Sequence, residues 1–170
     1  MIRTGEEHGA PLRIVETVAA VNDRRKRTMA RKIANACGGS VRDWTIAILG
    51  LTFKPKTDDM REAPSIPIVQ GLRDLGANIR AYDPQGARIV RSELPGVEFA
   101  ADPYDCIAGA DALVIVTEWD MFRALDLSRV KSLLAKPNFI DLRNIYDPGD
   151  VEAAGLSYTG IGRTSAGSAE

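Results

Sequence analysis

The sequence predicts an α/β fold, a doubly wound and mostly parallel sheet that is preceded by a long α-helix. Residues Thr45–Leu49 are apolar or β-branched without interruption, as in a strand buried on both faces of a sheet. From this strand onward, strand-like and helix-like segments alternate, which favours a parallel sheet with crossover helices. Upstream, Leu12–Ala36 repeats apolar positions at three- and four-residue steps, the spacing of an amphipathic helix.

The long helix is expected to begin after Pro11 and to end at Gly38, residue types that are typical of helix boundaries. A helix of about 25 residues spans roughly 37 Å. That is long for a domain of this size, so we expect part of the helix to lack partners within the chain. The basic run Arg24–Arg27 is interpreted as a solvated face toward the carboxyl half, where the helix dipole favours cations.

The sequence predicts about six strands, with helices on both faces of the sheet as the right-handed crossover rule requires. Ser65 is a plausible N-cap for the helix after the first strand, with Pro67 in its first turn. The elements after the first strand are expected in this order: helix Ser65–Leu75, strand Asn78–Tyr82, a helix from about Gln85 to Arg91, a short strand near Val97–Phe99, helix Pro103–Ala108, strand Ala112–Val116, helical turns Trp119–Ala124 and Leu127–Leu134, strand Phe139–Asp141, helix Gly149–Ala153 and strand Ser157–Thr159.

The length of 170 residues predicts one domain with an appendage. We expect residues 1–40 to form the helix, 41–163 the α/β domain and 164–170 a disordered tail, because the tail is poor in apolar residues. A net charge of −1 argues against a nucleic-acid or membrane partner that is attracted by bulk charge. The sequence shows neither a run of ~18 apolar residues nor a signal-peptide core. Two distant cysteines fit a reducing compartment, so we predict a cytoplasmic protein.

Ligands of open α/β sheets bind at the carboxyl ends of the strands, and polar residues follow three predicted strands there. In a Rossmann-like order the first, fourth and fifth strands are neighbours, so their loops would converge on one edge. Lys54 and Arg143 at this edge would suit a nucleotide diphosphate, Phe53 could pack a base or ribose, and acids would hold the cations in place. The candidate residues at these three places are Phe53, Lys54, Asp58, Asp59 and Arg61 after the first strand, Thr117, Glu118 and Trp119 after the fourth, and Arg143 and Asn144 after the fifth.

Simpler interpretations exist for several of these residues. Asp58 and Asp59 are equally well explained as turn residues or as partners of nearby cations, and no His or third carboxylate at ligand spacing supports a metal. Trp44 and Trp119 are interpreted as packing residues. Asp83 lies where NAD-binding folds place a ribose-binding acid, but Gly50-Leu-Thr-Phe-Lys54 is not a G-x-G-x-x-G loop. We therefore interpret Asp83 as a turn residue before Pro84.

Neither cysteine is predicted to react. Cys37 and Cys106 lie in helical contexts without an adjacent His, so both are interpreted as packing residues. His8 stands alone near the start of the sequence and is not a candidate general base.

The stretch Gly50-Leu-Thr-Phe-Lys-Pro-Lys-Thr-Asp-Asp-Met-Arg-Glu-Ala-Pro-Ser65 closely resembles the signature of the carboxy-terminal domain of UDP-glucose 6-dehydrogenases. That family also includes GDP-mannose and UDP-N-acetylmannosamine dehydrogenases. The resemblance covers nearly the whole chain and continues at Val18-Ala-Ala-Val-Asn-Asp-Arg24, Ala81-Tyr-Asp-Pro84, Thr117-Glu-Trp-Asp120 and Asp141-Leu-Arg-Asn144.

The resemblance implies roles for particular residues. Phe53 and Lys54 match positions that contact the UDP-sugar, and Arg61 matches an Arg that reaches NAD. Arg143 matches an Arg that crosses a dimer to the sugar nucleotide of the other subunit. The long helix matches the central helix that builds the dimer interface, so we expect a homodimer formed through Leu12–Val21.

The family oxidises the primary alcohol of the sugar to a carboxylate in two hydride transfers to NAD, through a thiohemiacetal and a thioester on a Cys. The resemblance places that Cys and the NAD fingerprint ahead of the stretch seen here. We therefore expect this chain alone to be inactive and to bind at most half of each ligand. It would then be the UDP-binding portion of a longer enzyme, or one product of a split gene with a separate amino-terminal half as partner.

Three alternatives remain open at this point. The chain could belong to a GDP-mannose or UDP-N-acetylmannosamine dehydrogenase. It could be a stand-alone nucleotide-binding or interaction module that lost the reaction. A response-regulator-like domain is a weaker alternative, because Asp111 precedes a predicted strand rather than following one.

Overall fold

A computed structural model of the chain describes residues 17, 21, 28–55, 63–86, 91 and 93–163. Within these residues, six parallel strands form one sheet in the order β3-β2-β1-β4-β5-β6. The strands are β1 (Thr45–Leu49), β2 (Asn78–Tyr82), β3 (Glu98–Phe99), β4 (Ala112–Ile115), β5 (Asn138–Asp141) and β6 (Ser157–Gly160).

Helices follow β1, β3, β4 and β5 and cover both faces of the sheet. Residues 28–36 are helical and form the described part of α1, and Thr17 and Val21 are helical as well. The later helices are α2 (Ser65–Asp74), α3 (Pro103–Ile107), α4 (Asp120–Arg123), α5 (Leu127–Leu133) and α6 (Pro148–Ala153).

The predicted fold class is confirmed, and so is the prediction that the first, fourth and fifth strands are neighbours. β1 and β2 have the predicted bounds, and each of the other strands differs by one residue at one end. The predicted helix from Gln85 to Arg91 lies largely outside the described residues, and its described positions, Gln85, Gly86 and Arg91, are turn residues. Most of Leu12–Val21 and all of residues 164–170 also lie outside the described residues.

The sheet separates two apolar layers, and β1 contributes to both because alternate side chains of a strand point to opposite faces. Ile46 and Ile48 belong to one layer, together with residues of α1 and α2. Ala47 and Leu49 belong to the other, together with residues of α3, α5 and α6. All four side chains are fully buried, which explains the uninterrupted apolar run.

The described part of α1 packs into the domain core. Ile33 is fully buried and Ala30 is nearly so, in the same apolar layer as α2. The two helices approach closely at Gly71, where a Cβ atom would lie 2.7 Å from the Cβ of Ala30. The carboxyl end of the long helix therefore belongs to the core of the α/β domain.

Candidate functional site

The loops after β1, β4 and β5 begin side by side at the carboxyl edge of the sheet. Leu49 is in register with Ile115, and Ile115 with Asp141. Neighbouring strands lie about 4.8 Å apart, so three loops leave the sheet within roughly 10 Å of each other. The predicted convergence of these loops is confirmed.

The loop after β1 is fastened to its neighbours by buried hydroxyl groups. Thr117, after β4, donates a hydrogen bond from Oγ1 to the carbonyl of Thr52 at 2.7 Å. Ser65 donates from Oγ to the carbonyl of Leu51 at 2.5 Å. The prediction that Ser65 is the N-cap of α2 is wrong: Pro64 holds that position without a side-chain cap, because the Ser65 hydroxyl bonds to the β1 loop instead.

Asp83, directly after β2, joins three loops through its buried carboxylate. Its Oδ1 accepts hydrogen bonds from the backbone N–H groups of Gln85 at 2.9 Å and Gly86 at 2.6 Å, which confirms its interpretation as a turn residue. Its Oδ2 accepts from Leu51 N at 2.7 Å, Thr52 N at 3.1 Å, Thr52 Oγ1 at 3.1 Å and Trp119 Nε1 at 3.3 Å. Asp83 is 3% exposed, so this network excludes solvent.

Phe53 and Lys54 follow directly after the fixed backbone of Leu51 and Thr52. Phe53 is 48% exposed, an unusual state for a large apolar side chain next to a core strand, and Lys54 is exposed as well. A fixed backbone thus presents one apolar and one cationic side chain to solvent at the carboxyl edge.

Arg143, in the loop after β5, forms a salt bridge through Nε with Glu118, in the loop after β4. This hydrogen bond lowers the pKa of the Glu118 carboxyl below its ordinary value. The backbone N–H of Arg143 donates to Asp141 Oδ1 at 3.0 Å. The predicted role of Glu118 in holding a cation in place is therefore confirmed for Arg143.

The next residue, Asn144, ties the same loop to Ile161, the residue directly after β6. Its side chain accepts from Ile161 N at 3.0 Å and donates to Ile161 O at 2.9 Å. Asn144 has a φ of +53°, a left-handed conformation that Asn adopts more readily than most residues. The backbone of Arg143 is thus held from both sides, while its side chain remains partly exposed.

Lys54 and Arg143 consequently lie at the same edge of the sheet, with the β4 loop between their loops. Contacts join the β1 loop to the β4 loop through Thr52 and Thr117, and the β4 loop to the β5 loop through Glu118 and Arg143. Arg61, Asp58 and Asp59 lie outside the described residues.

Two buried acids were not assigned their roles from the sequence. Asp83 was interpreted only as a turn residue, and Asp141, fully buried at the end of β5, had no role. Asp141 Oδ2 accepts from Tyr146 N at 3.0 Å and from the hydroxyl of Tyr158 at 3.4 Å. The sequence did contain a signal for these roles, because each acid lies at the end of an apolar strand. A carboxylate buried there needs hydrogen-bond donors, and this predicts that it binds the neighbouring loops.

The cysteines and Trp119 are packing residues, as predicted. Burial raises the pKa of the Cys37 thiol to about 11 and that of the Cys106 thiol to about 12. Trp119 belongs to the apolar layer of α3 and α5 and is 8% exposed. At the opposite, amino edge of the sheet, Lys136 Nζ lies 3.4 Å from the ring centroid of Trp44.

The described residues contain no group of three or more His, Cys, Asp or Glu side chains arranged to hold a metal ion. They also do not fit a dinucleotide of the Rossmann type, because the loop after β1 lacks the glycine fingerprint and the carboxylate after β2 is saturated by protein donors. No helix in the described ranges is long and apolar enough to cross a membrane.

Comparison with known proteins gives concordant matches. Residues 47–148 match the family described as "UDP-glucose/GDP-mannose dehydrogenase family, UDP binding domain". The chain is 52% identical over 163 residues to a UDP-glucose 6-dehydrogenase of Rhizobium meliloti, covering 96% of this chain and 37% of that protein. It is 37% identical over 173 residues to a UDP-glucose 6-dehydrogenase of Pseudomonas aeruginosa, covering 98% of this chain and 38% of that protein.

A solved structure agrees with these matches. The chain superposes on a UDP-glucose dehydrogenase from the hyperthermophilic archaeon Pyrobaculum islandicum with a TM-score of 0.77 and 26% identity, covering 96% of this chain and 35% of that one. The chain thus spans little more than a third of the length of the curated relatives it matches. The family match extends from within β1 to the start of α6 and includes the loops after β1, β4 and β5. This chain belongs to the UDP-glucose/GDP-mannose dehydrogenase family.

Proposed function

We propose that this chain is the UDP-sugar-binding carboxy-terminal portion of an NAD-dependent UDP-glucose 6-dehydrogenase, which converts UDP-glucose to UDP-glucuronate in two hydride transfers. The observation that carries the proposal is the match of residues 47–148 to the family's UDP binding domain. This range contains the cationic edge, the part of the carboxyl edge of the sheet where Lys54 and Arg143 lie. UDP-glucose is favoured over GDP-mannose because the curated relatives reported above are UDP-glucose 6-dehydrogenases.

The proposed roles follow from chemistry and exposure. Lys54 binds a phosphate oxygen of the diphosphate through a charge-assisted hydrogen bond. Phe53 covers the uracil or ribose with its exposed ring. Arg143, held by Glu118, binds the sugar nucleotide of a second subunit, as its resemblance to the family's arginine implies. Arg61 is proposed to contact NAD.

The reaction also needs a nucleophile that neither cysteine of this sequence fits. A thiol attacks as the thiolate, and burial keeps Cys37 and Cys106 protonated at neutral pH. The thiolate and the nicotinamide site are therefore proposed to belong to other polypeptide, either a preceding part of a longer chain or a separate amino-terminal half. NAD supplies the hydride acceptor, and the role of this chain is to bind and orient the nucleotide.

We further propose that two copies associate through the long helix. The proposal is supported by Val21, which is helical and 58% exposed, an apolar side chain that a second helix would cover. A homodimer would also bring Arg143 of one subunit to the nucleotide of the other.

Calorimetric titration tests the binding function directly. UDP, UDP-glucose and UDP-glucuronate are expected to bind the 170-residue chain, and GDP more weakly; absence of UDP binding would contradict the proposal. The enzymatic part is tested by adding the amino-terminal portion of a relative and measuring NADH production from UDP-glucose. Turnover restored on mixing supports the dehydrogenase, whereas UDP binding without turnover favours a stand-alone module.

A further inference from the structure

Asp83 occupies the position after β2 where dinucleotide-binding sheets place an acid for a ribose hydroxyl. In this protein both of its oxygens face donors of the protein itself, with hydrogen bonds to Oδ1 from two residues and to Oδ2 from three. A carboxylate offers about four lone-pair sites, so the network leaves none for a ligand. Asp83 therefore holds loops of the protein together, at a position where dinucleotide-binding folds use the acid to bind a ribose.

We infer that Asp83 is a positioning residue for the nucleotide site, acting through the backbone that carries Phe53 and Lys54. The inference rests on the proposed UDP-binding function. Leu51 and Thr52, which donate to Asp83, directly precede Phe53 and Lys54.

The same carboxylate also fixes the loop that holds Arg143, the residue proposed to reach the nucleotide of a second subunit. Trp119 donates to Asp83, and the residue before it, Glu118, holds Arg143. Asp83 thus bonds both to the loop after β1, which carries Lys54, and to the loop after β4, which holds Arg143 through Glu118. Order in the free protein lowers the entropy lost on binding, so this carboxylate raises affinity without touching the ligand.

An amide cannot replace this carboxylate, although Asp83→Asn nearly preserves its shape. Asn presents one oxygen and one NH₂ group, and every partner of Asp83 is a donor. In one orientation the NH₂ group faces Gln85 N and Gly86 N; in the other it faces Leu51 N and Thr52 N. Either way, donors oppose donors in a buried site, and one loop is released.

The matched control is Asp111→Asn at the amino edge of the sheet. Asp111 Oδ2 accepts a hydrogen bond from Thr45 N at 2.9 Å, and its Oδ1 pairs with Lys136 Nζ at 3.0 Å. Asp111 thus binds the first residue of β1, whereas Asp83 binds the loop that follows the strand. Asp111→Asn therefore reports the cost of losing an anchoring carboxylate that does not serve the cationic edge.

The first measurement is amide hydrogen exchange in the unliganded variants. In Asp83→Asn, exchange at Leu51 and Thr52 is expected to accelerate about tenfold or more relative to the β1 amide of Ile48, since only the loop is released. In Asp111→Asn this ratio stays near the wild-type value. Unchanged exchange at Leu51 and Thr52 in Asp83→Asn would overturn the inference, whatever the chain binds.

The second measurement is UDP affinity by calorimetry, with a double-mutant cycle. Asp83→Asn is expected to weaken UDP binding about tenfold, and Asp111→Asn by less than about twofold. In a Lys54→Ala background, Asp83→Asn is expected to weaken binding by clearly less than tenfold, because the part of its effect that acts through Lys54 is already lost. Full wild-type affinity in Asp83→Asn, or fully additive losses, would overturn the positioning role.

Thr52→Val serves as a second variant in case Asp83→Asn does not fold. It removes the hydrogen bond from Thr52 Oγ1 to Asp83 and keeps the backbone contacts. The exchange rate of the Leu51 amide and the dissociation constant for UDP should therefore each rise by about threefold. No change in either quantity contradicts the inference. If wild-type chain binds no UDP, the proposed function fails and the affinity claim with it. The exchange data then decide separately whether Asp83 fixes the loop.

Discussion

Thr117 lies directly against Gly50, so that a Cβ atom built on Gly50 would fall 2.5 Å from the Cβ of Thr117 and 2.6 Å from its backbone nitrogen. Gly50 also has a φ of +94°, which disfavours any other residue. The contact joins the ends of β1 and β4, the two strands whose loops carry Lys54 and Glu118. The close approach of the two loops therefore depends on a glycine at this position.

Gly50→Ala is expected to lower the free energy of unfolding by more than Gly109→Ala does. Gly109 has a φ of +71° with no atom within 4 Å of the added Cβ, so its substitution measures the backbone strain alone. That strain costs about 1–2 kcal/mol, and Gly50→Ala adds displacement of Thr117. Urea unfolding of both variants checks the difference. Equal losses would show that the β1 and β4 loops separate without cost.

Arg143→Met is expected to raise the pKa of Glu118, because the hydrogen bond from Arg143 is the main cause of its lowering. The exposed salt bridge itself contributes no more than about 1 kcal/mol. Carbon-detected NMR titration of the Glu118 carboxyl in both proteins measures the change. An unaltered titration curve would mean that Arg143 is not paired with Glu118 in solution.

The same pair predicts a pH dependence of stability. The folded-state pKa of Glu118 lies below its ordinary value of 4.5, so its contribution is present above that pH and is lost as the pH falls through the folded pKa. The stability difference between wild type and Glu118→Gln should therefore shrink on acidification below 4.5. A difference that stays constant down to the acid transition would contradict this linkage.

The two thiols are expected to be inert in the folded chain. Their pKa values are raised from 9.0 to about 11 for Cys37 and about 12 for Cys106, chiefly by burial. A disulfide reagent should modify neither at pH 8 in native buffer and both in urea. Rapid labelling of the native protein would show that these side chains are not packed as described.

The raised thiol pKa values also predict a pH dependence of stability. The contribution of each protonated, buried thiol to the free energy of unfolding is fully present below pH 9.0 and declines as the pH rises toward 11.

Local pattern was sufficient to predict the sheet and the edge at which the cationic side chains lie. The run Thr45–Leu49 is apolar at every position because β1 lies between β2 and β4 and is covered on both faces. The crossover rule for parallel strands then limits the order of the others. Lys54 and Arg143 were predicted at one edge for this reason.

The hydrogen bonds that fix the site could not be predicted in the same way. Asp83 bonds to Leu51 across 32 sequence positions and to Trp119 across 36. These partners depend on the side-chain directions of three loops, which no periodicity describes. Ser65 is a second example of a contact that the local sequence does not predict. Its sequence context favoured an N-cap, but its hydroxyl donates a hydrogen bond to the carbonyl of Leu51 in the β1 loop.

The UDP affinity of Lys54→Ala, compared with that of Lys136→Ala, tests the account most directly. Lys136 pairs with Asp111 and Trp44 at the amino edge of the same sheet, so it is a cation of equal charge far from the proposed site. We predict that Lys54→Ala weakens UDP binding by about 1.5–3 kcal/mol, the scale of a lost charge-assisted hydrogen bond, and that Lys136→Ala leaves it unchanged. Equal affinities in the two variants would contradict a nucleotide site at the carboxyl edge.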